Sequence, residues 1–455
     1  MGNGSGSRSL TEGSVGRVLI RFSLPVLLAN LIQSVYNSIN ILFLGRFASP
    51  AALAGAGNGM SLIYTATGFS IGLMNGGAIL LGQYFGARKD RDAARAVGSI
   101  AGLLVISAII VTGLILLFGP MFLRIIAIPP EAEPEAWQYM RICAWGLVFT
   151  MGYTAISAVL RALGNSKAPL AFISVSCVLH IILDYIFIRT LDLRAAGAAW
   201  ATVVAQAASF ALALLYLFKT KLPFRFSPRD LKPDAATMVH ILKLGVPISL
   251  QTVLNAVSFA VIAAVINKMG VSASAANGIV NNIISFYLII PFAFTAAISA
   301  VSAQNIGAGK PERALRSAKL GILLSLIIAV PATLYCNFFP GPVVSLFTGD
   351  AGVVRDSALF LIPFSWDCVF TSFVFCLNGF FNGCGLTGFV ALHETAAAFL
   401  VRIPLSWAMS LKPGATLFHI GIGTPAATAA SLVMCLVYYQ IKLSGGKLLN
   451  LKVNN

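Results

Sequence analysis

Deep within the apolar run SVSCVLHIILDYIFI lie two ionisable side chains, His180 and Asp184, four residues apart. On a helix this spacing puts both on one face. An imidazole beside a carboxylate in low dielectric can share or exchange a proton, the chemistry that coupling to a proton gradient requires. The plainer alternative is a static ion pair that fixes helix packing. Only two more of the fifteen acids fall inside apolar runs, Asp367 in PFSWDCVFTSF and Glu394 in ALHETAAAF. An ionised group is costly there and usually faces a cavity or a partner. Asp367 is a candidate for such a cavity, or else a solvated acid near the outer mouth of its run. Glu394 follows His393, but a zinc-peptidase HExxH would need a second histidine at 397, where Ala397 stands. The metal reading fails and leaves an interfacial or cavity-lining carboxylate. Arg402, in FLVRIPLSW, reads as a residue near the outer end of its helix that snorkels to the interface.

Uncharged polar groups recur at helical spacing. Asn30, Gln33, Asn37 and Asn40 follow one another at steps of three, four and three, which makes one helical face polar. Gln251, Asn255 and Ser258 form a similar stripe, and Asn277, Asn281 and Ser285 another. Such groups either hold helices together or line a polar cavity. Their recurrence at matching places favours a shared cavity, with Gln33, Asn37, Gln251, Asn255, Asn281 and Asp367 as its expected lining.

The elements that must position these residues are membrane spans. A mean hydropathy of +0.87, with 58% hydrophobic and 10% charged residues, excludes an ordinary soluble domain, which carries about 25% charge. Each bilayer span needs about 20 apolar residues. Suitable runs fall at 19–44, 53–82, 97–119, 137–160, 168–189 and 195–218, then at 242–266, 275–303, 319–338, 357–382, 387–409 and 418–441. The expected fold is therefore all-α and integral to the membrane, with twelve transmembrane helices in two six-helix lobes. The lobes are read as 19–218 and 242–441, with a flexible cytoplasmic N-terminus over 1–18, a cytoplasmic linker over 219–241 and a cytoplasmic tail over 442–455.

The second lobe partly repeats the first. Pro25 in LPVLLANLIQ and Pro247 in VPISLQTVLN each mark an expected helix start, 222 residues apart, and the same offset sets Gln33 on Asn255 and Arg46 on Lys268. The stretch GQYFGA, with Gln83 and Gly86, meets AQNIGA, with Gln304 and Gly307, at an offset of 221. A register kept across several features is the mark of a duplicated unit. Because six is even, the two copies share an orientation and form a parallel repeat.

The net charge of +16 could point to nucleic acid, but the basic residues cluster between apolar runs, as in Arg88–Arg95, Lys310–Lys319 and the linker. The connection IPPEAEPEAW after the third run is acidic. The positive-inside rule then places both termini in the cytoplasm, with no nucleic-acid partner; the short termini and the absence of a transit segment make a cell (inner) membrane the expected location. Seven cysteines without CxxC spacing are expected to be apolar packing residues, not a metal site or a disulfide set. A membrane enzyme would need aspartate-rich metal motifs, HExxH or GxSxG inside its spans, and none occurs. No catalytic residue and no bound cofactor is expected.

In the order and spacing of LPVLLANLIQSVYNSINILFLGRF, GQYFGARKDRDAARA, LRALGNSKAP, IILDYIFI and AQNIGAGKPERA, the chain resembles the multidrug and toxic compound extrusion (MATE) family, of the multidrug/oligosaccharidyl-lipid/polysaccharide flippase superfamily. The likeness covers about Arg17 to Gln440. It implies a monomeric exporter that carries organic cations or other amphipathic small molecules by alternating access between two lobes, against an inward proton or sodium gradient. In one branch of the family, acids of the first and fifth spans carry the coupling ion, with polar support from the fifth and sixth. The matching positions here are Asn40, Asp184, His180 and Thr202, so an amide stands where the first-span acid is usual, and a histidine where an asparagine is. In a second branch the acids lie in the seventh and tenth spans, which match Asn255 and, loosely, Asp367. Coupling is expected to run through Asp184 and to use protons. The alternatives are a lipid-linked saccharide flippase of the same superfamily, or an uncoupled sensor or facilitator.

Overall fold

The computed structural model describes residues 9–126, 128–220 and 222–444, apart from the side chains of 228 and 442–444. Expectations for residues 1–8, Lys221 and 445–455, including the inner-side cations Arg8, Lys447 and Lys452, lie outside the described residues, as does the Lys442 side chain. Among the described residues there are helices and no strands.

Twelve long helices follow one another: α1 (Val15–Phe47), α2 (Pro50–Gly86), α3 (Asp90–Ile125), α4 (Glu133–Ala162), α5 (Lys167–Thr190), α6 (Arg194–Lys219), α7 (Ala235–Asn267), α8 (Val271–Gly307), α9 (Pro311–Phe338), α10 (Ala351–Gly383), α11 (Thr387–Ser410) and α12 (Leu417–Ile441). Eleven of them are long and apolar enough to cross a bilayer. The twelfth, α2, has the length, 37 residues, but its many glycines dilute its hydropathy. The protein is thus a multi-pass membrane protein. Large apolar side chains such as Leu117, Phe218 and Leu400 are mostly exposed, at 77, 83 and 74%, as expected of surfaces solvated by lipid.

Local chemistry sets many of the helix starts. Ser49 caps α2 by accepting from Ala52 N at 3.2 Å, with Pro50 in the first turn where its missing N–H costs nothing. Asp350 caps α10 through Val353 N at 2.8 Å, and Asp234 opens α7 through Thr237 N at 2.9 Å. The expectation that helices begin near Pro25 and Pro247 is corrected. Helix α1 starts at Val15 and α7 at Ala235, and both prolines are interior. Leu19 and Phe22, buried at 0 and 4% exposure, anchor the first turns of α1. Spanning helices tolerate an interior proline because neighbours satisfy the freed backbone groups.

Packing divides the chain into two compact units, one built on Leu24–Ser249 and the other on Thr11–Ser23 with Leu250–Asn455. In the first, α4 packs against α2, α3 and α6, and α5 against α6. In the second, α10 packs in the same way against α8, α9 and α12. The first turns of α7 belong to the first unit because glycine meets glycine there: a Cβ on Gly76 would lie 2.5 Å from Gly245 N. Ser249 Oγ then donates to Phe69 O at 2.6 Å. In the second unit, Lys310 and Arg313 at the start of α9 hold the backbone carbonyls of Thr11, Glu12 and Gly13 at 2.6–3.1 Å.

The repeat is visible in the backbone as well. After α2, Arg88 N bonds Phe85 O and Lys89 N bonds Tyr84 O; after α8, Gly309 N bonds Ile306 O and Lys310 N bonds Asn305 O. The corresponding turns after α4 and α10 use Gly164 and Gly385. All four turns carry one residue at positive φ, and only Arg88, at 56°, is not glycine.

Candidate functional site

The first unit encloses a cavity of about 120 Å³ among α1, α2, α4 and α6. Its polar wall comes from Gln33, Tyr36, Asn37 and Asn40 of α1 and from Thr202 and Gln206 of α6. Three of the four stripe residues of the first span therefore face one space, as their 3-4-3 spacing requires. Asn40 is 1% exposed, and neither its amide nitrogen nor its oxygen finds a protein partner; the same holds for Gln206 Oε1. The cavity thus presents uncommitted donors and acceptors and no charge. Ligand pockets for drug-sized molecules span about 300–1,000 Å³, so in this conformation it holds a small group at most.

Asp184 lies behind this wall. His180 and Asp184 are both fully buried, with Nδ1 and Oδ2 3.0 Å apart. On its other side His180 Nε2 lies 3.3 Å from Thr202 Oγ1, and the Tyr36 ring covers the imidazole with centroids 4.0 Å apart. Thr202 donates its own hydrogen to Ala198 O at 2.9 Å. With the Thr202 hydrogen so placed, the imidazole donates from Nε2. Nδ1 and Oδ2 would then be two bare acceptors in contact unless a proton lies between them. Immediately after Asp184 the helix widens into a π-turn, Tyr185–Thr190, a distortion that recurs at functional sites.

The expected ion-coupling residues Asp184, His180, Thr202 and Asn40 thus gather around one cavity, together with Gln33 and Asn37. Tyr36 and Gln206 were missed. Gln206 stands four residues after Thr202 on α6, a spacing that already put the two on one face.

The residues expected from the second unit are not among the lining of this cavity. Asn281 is tied to its own helix, donating to Asn277 O and Oδ1. Gln251 is half-buried on α7. Asp367 is 7% exposed and accepts from Thr428 Oγ1 at 2.5 Å and from Thr371 Oγ1 at 3.2 Å. Buried hydroxyls, and not bulk solvent, surround it.

Asn255 belongs to a network centred on Glu394. Its Nδ2 donates to Glu394 Oε2 at 2.9 Å, and Asn378 Nδ2 donates to Oε1. Asn378 Oδ1 accepts in turn from His393 Nε2 at 3.0 Å, whose Nδ1 accepts from Ser431 Oγ at 2.8 Å. The snorkelling expected of Arg402 is corrected. The guanidinium is 9% exposed, donates to Asn255 Oδ1 at 3.1 Å and to Ser258 Oγ at 3.5 Å, and lies 4.5 Å over the Phe259 ring. It ends the π-turn Ala397–Arg402 of α11, whose extra residue per turn redirects side chains that a plain helix would send elsewhere.

Comparisons with known proteins agree with this architecture. The MatE family model matches residues 25–186 and 247–408, two blocks set 222 residues apart. The "Probable multidrug resistance protein YpnP" of Bacillus subtilis (strain 168) is 30% identical over 441 residues, covering 94% of this chain and 96% of that protein. The "Probable multidrug resistance protein YoeA" of the same organism is 28% identical over 437 residues and 94% of each chain. Among solved structures, a MATE in complex with MaL6 superposes with a TM-score of 0.90 at 20% identity, over 98% of this chain and 99% of that one. A MOP superfamily transporter from Pyrococcus furiosus Vc1 (DSM3638) gives 0.90 at 19% identity, over 97 and 99%. With both blocks matched, relatives aligned from end to end and the paired six-helix architecture in place, the chain belongs to the MatE family.

Proposed function

We propose that the protein is a proton-coupled antiporter that exports amphipathic organic molecules, cations among them, by alternating access. The observation that carries this reading is the contact between His180 Nδ1 and Asp184 Oδ2, fully buried and close enough to share a proton. The family's transporters and the names of the relatives support export of drugs.

In this reading a proton from outside reaches the pair by way of the cavity, Thr202 and His180. Its arrival changes the charge of a fully buried group, and the balance of inward- and outward-open states shifts because the pair binds the proton more tightly in one of them. Asn40 and Gln206 supply neutral hydrogen bonds beside the pair and do not titrate. Substrate is held by the uncharged groups Gln33 and Asn37 and by the aromatic rings of the cavity, which widens in the loaded state. The protein acts as a monomer in a cell membrane, with both ends cytoplasmic.

The test is efflux of a fluorescent organic cation from proteoliposomes under a pH gradient, then under a sodium gradient, for wild type and Asp184→Asn. Efflux driven by the pH gradient in wild type and lost in the variant is the expected result. A variant that pumps like wild type removes Asp184 from coupling. Transport driven by sodium alone replaces the proton with sodium.

A further inference from the structure

Arg402 is a guanidinium buried in a membrane-spanning helix without a direct carboxylate partner. Its hydrogen bonds go to neutral oxygens, Asn255 Oδ1 and Ser258 Oγ, and its Nε finds no partner. The Asn255 amide stands between it and Glu394, accepting from the one and donating to the other. Arginine cannot shed its charge in a protein, and an unpaired charge in such a setting is strongly destabilising. The arrangement must therefore be held in place by the negative groups near it. Those groups are Glu394 one amide away and Asp367, both within electrostatic reach of Arg402. The other titratable groups facing the network are His393, reached from Glu394 through Asn378, and Cys435, 3.4 Å from His393 Nε2.

We propose that Arg402 is a built-in cation of the second unit: it satisfies Glu394 permanently through Asn255, and so removes from that unit the need for an exchangeable sodium ion or proton. Glu394 is half-buried, and without such a partner its charge would be balanced by a mobile cation. Here the cation is covalently attached to the chain, which makes Arg402 a residue that determines ion specificity without itself binding substrate. The inference concerns a group of residues separate from the Asp184 site and does not rest on the proposed proton coupling there.

The test is the thermal stability of the purified protein in detergent, in sodium chloride and in choline chloride of equal ionic strength, at neutral and mildly acidic pH, all in an Asp184→Asn background so that the first unit is silent. With Arg402 present the midpoint is expected to be the same in both salts. Arg402→Met should create a demand: low stability in choline at neutral pH, restored by sodium, by acid or by both, each arm identifying its own ion. Half-restoration should need roughly tenfold less of the ion than any response of the parent protein. The double variant Arg402→Met with Glu394→Gln should lose the demand, and Arg402→Lys should not acquire it. Should Arg402→Met not be recoverable alone, recovery of the double variant supports the proposal and failure to recover it overturns it. Equal destabilisation of Arg402→Met in all four conditions overturns it, because Arg402 then only packs. So does a sodium response in the parent that Glu394→Gln abolishes, because the site is then already open to exchange.

Discussion

Each unit contains a histidine near a carboxylate in its fifth span, and the two solve different problems. In the first unit His180 donates to Thr202 and turns a bare nitrogen towards Asp184, whose oxygens find no other protein donor. The pair is incomplete without one mobile proton. In the second unit His393 is satisfied at both ring nitrogens, by Asn378 and Ser431, and Glu394 accepts an amide N–H at each oxygen. That network closes on itself, with a fixed cation at one end. The duplicated helical scaffold thus carries different hydrogen bonding in its two copies, closed in one and unfinished in the other.

The largest expected effect tests the closed network. Glu394→Ala orphans the half-buried amide of Asn255 and the buried amide of Asn378, and at about 1–3 kcal/mol for each unsatisfied donor it should destabilise the protein by about 3 kcal/mol, read as a fall in the detergent melting temperature. Asp234→Ala, a neutral control between the two sites, should cost about 1 kcal/mol by removing the cap on α7. The hydrogen bonds from Thr237 hold the Asp234 carboxyl below the usual carboxylate range. A depressed carboxylate stabilises the fold above the unfolded value of about 3.9. The difference between wild type and Asp234→Ala should therefore be constant at neutral pH and vanish as pH falls through the depressed value.

The repeated turns offer a sharper comparison at lower energy. Arg88→Gly should raise stability by about 0.5–1 kcal/mol, because a left-handed residue with a side chain is strained, and Gly309→Ala at the matching turn should lower it by a similar amount. The smallest effect belongs to the open pair. Asp184→Asn deprives no buried donor of a partner and should change stability by less than about 1 kcal/mol while abolishing pH-driven efflux. The contrast between the units collapses if Asp184→Asn proves as destabilising as Glu394→Ala.

Much of this was legible in the chain. The offset between Pro25 and Pro247 anticipated the two matched family blocks, because a duplication preserves register over long distances. The 3-4-3 spacing of the first-span stripe was enough to bring Gln33, Asn37 and Asn40 to one cavity, since helix geometry is local. The start of α7 was hidden because the linker's prolines and charges masked a helix whose first turns are stabilised by contact with α2. The Glu394 network was hidden for a different reason. Glu394 meets Asn255 across 139 residues and Arg402 meets it across 147, and no periodicity within one helix reports a meeting between two.

The π-turns also set the two copies apart. At the offset of 221 that relates the turns after α4 and α10, Ala397–Arg402 corresponds to residues 176–181, more than a turn before Tyr185–Thr190. The wide turn therefore sits at a different position along the span in each copy. Between the two turns the copies are out of step, and beyond both they come back into register. Over that short stretch a residue and its counterpart at the common offset face different ways, so position alone does not carry a role from one half to the other.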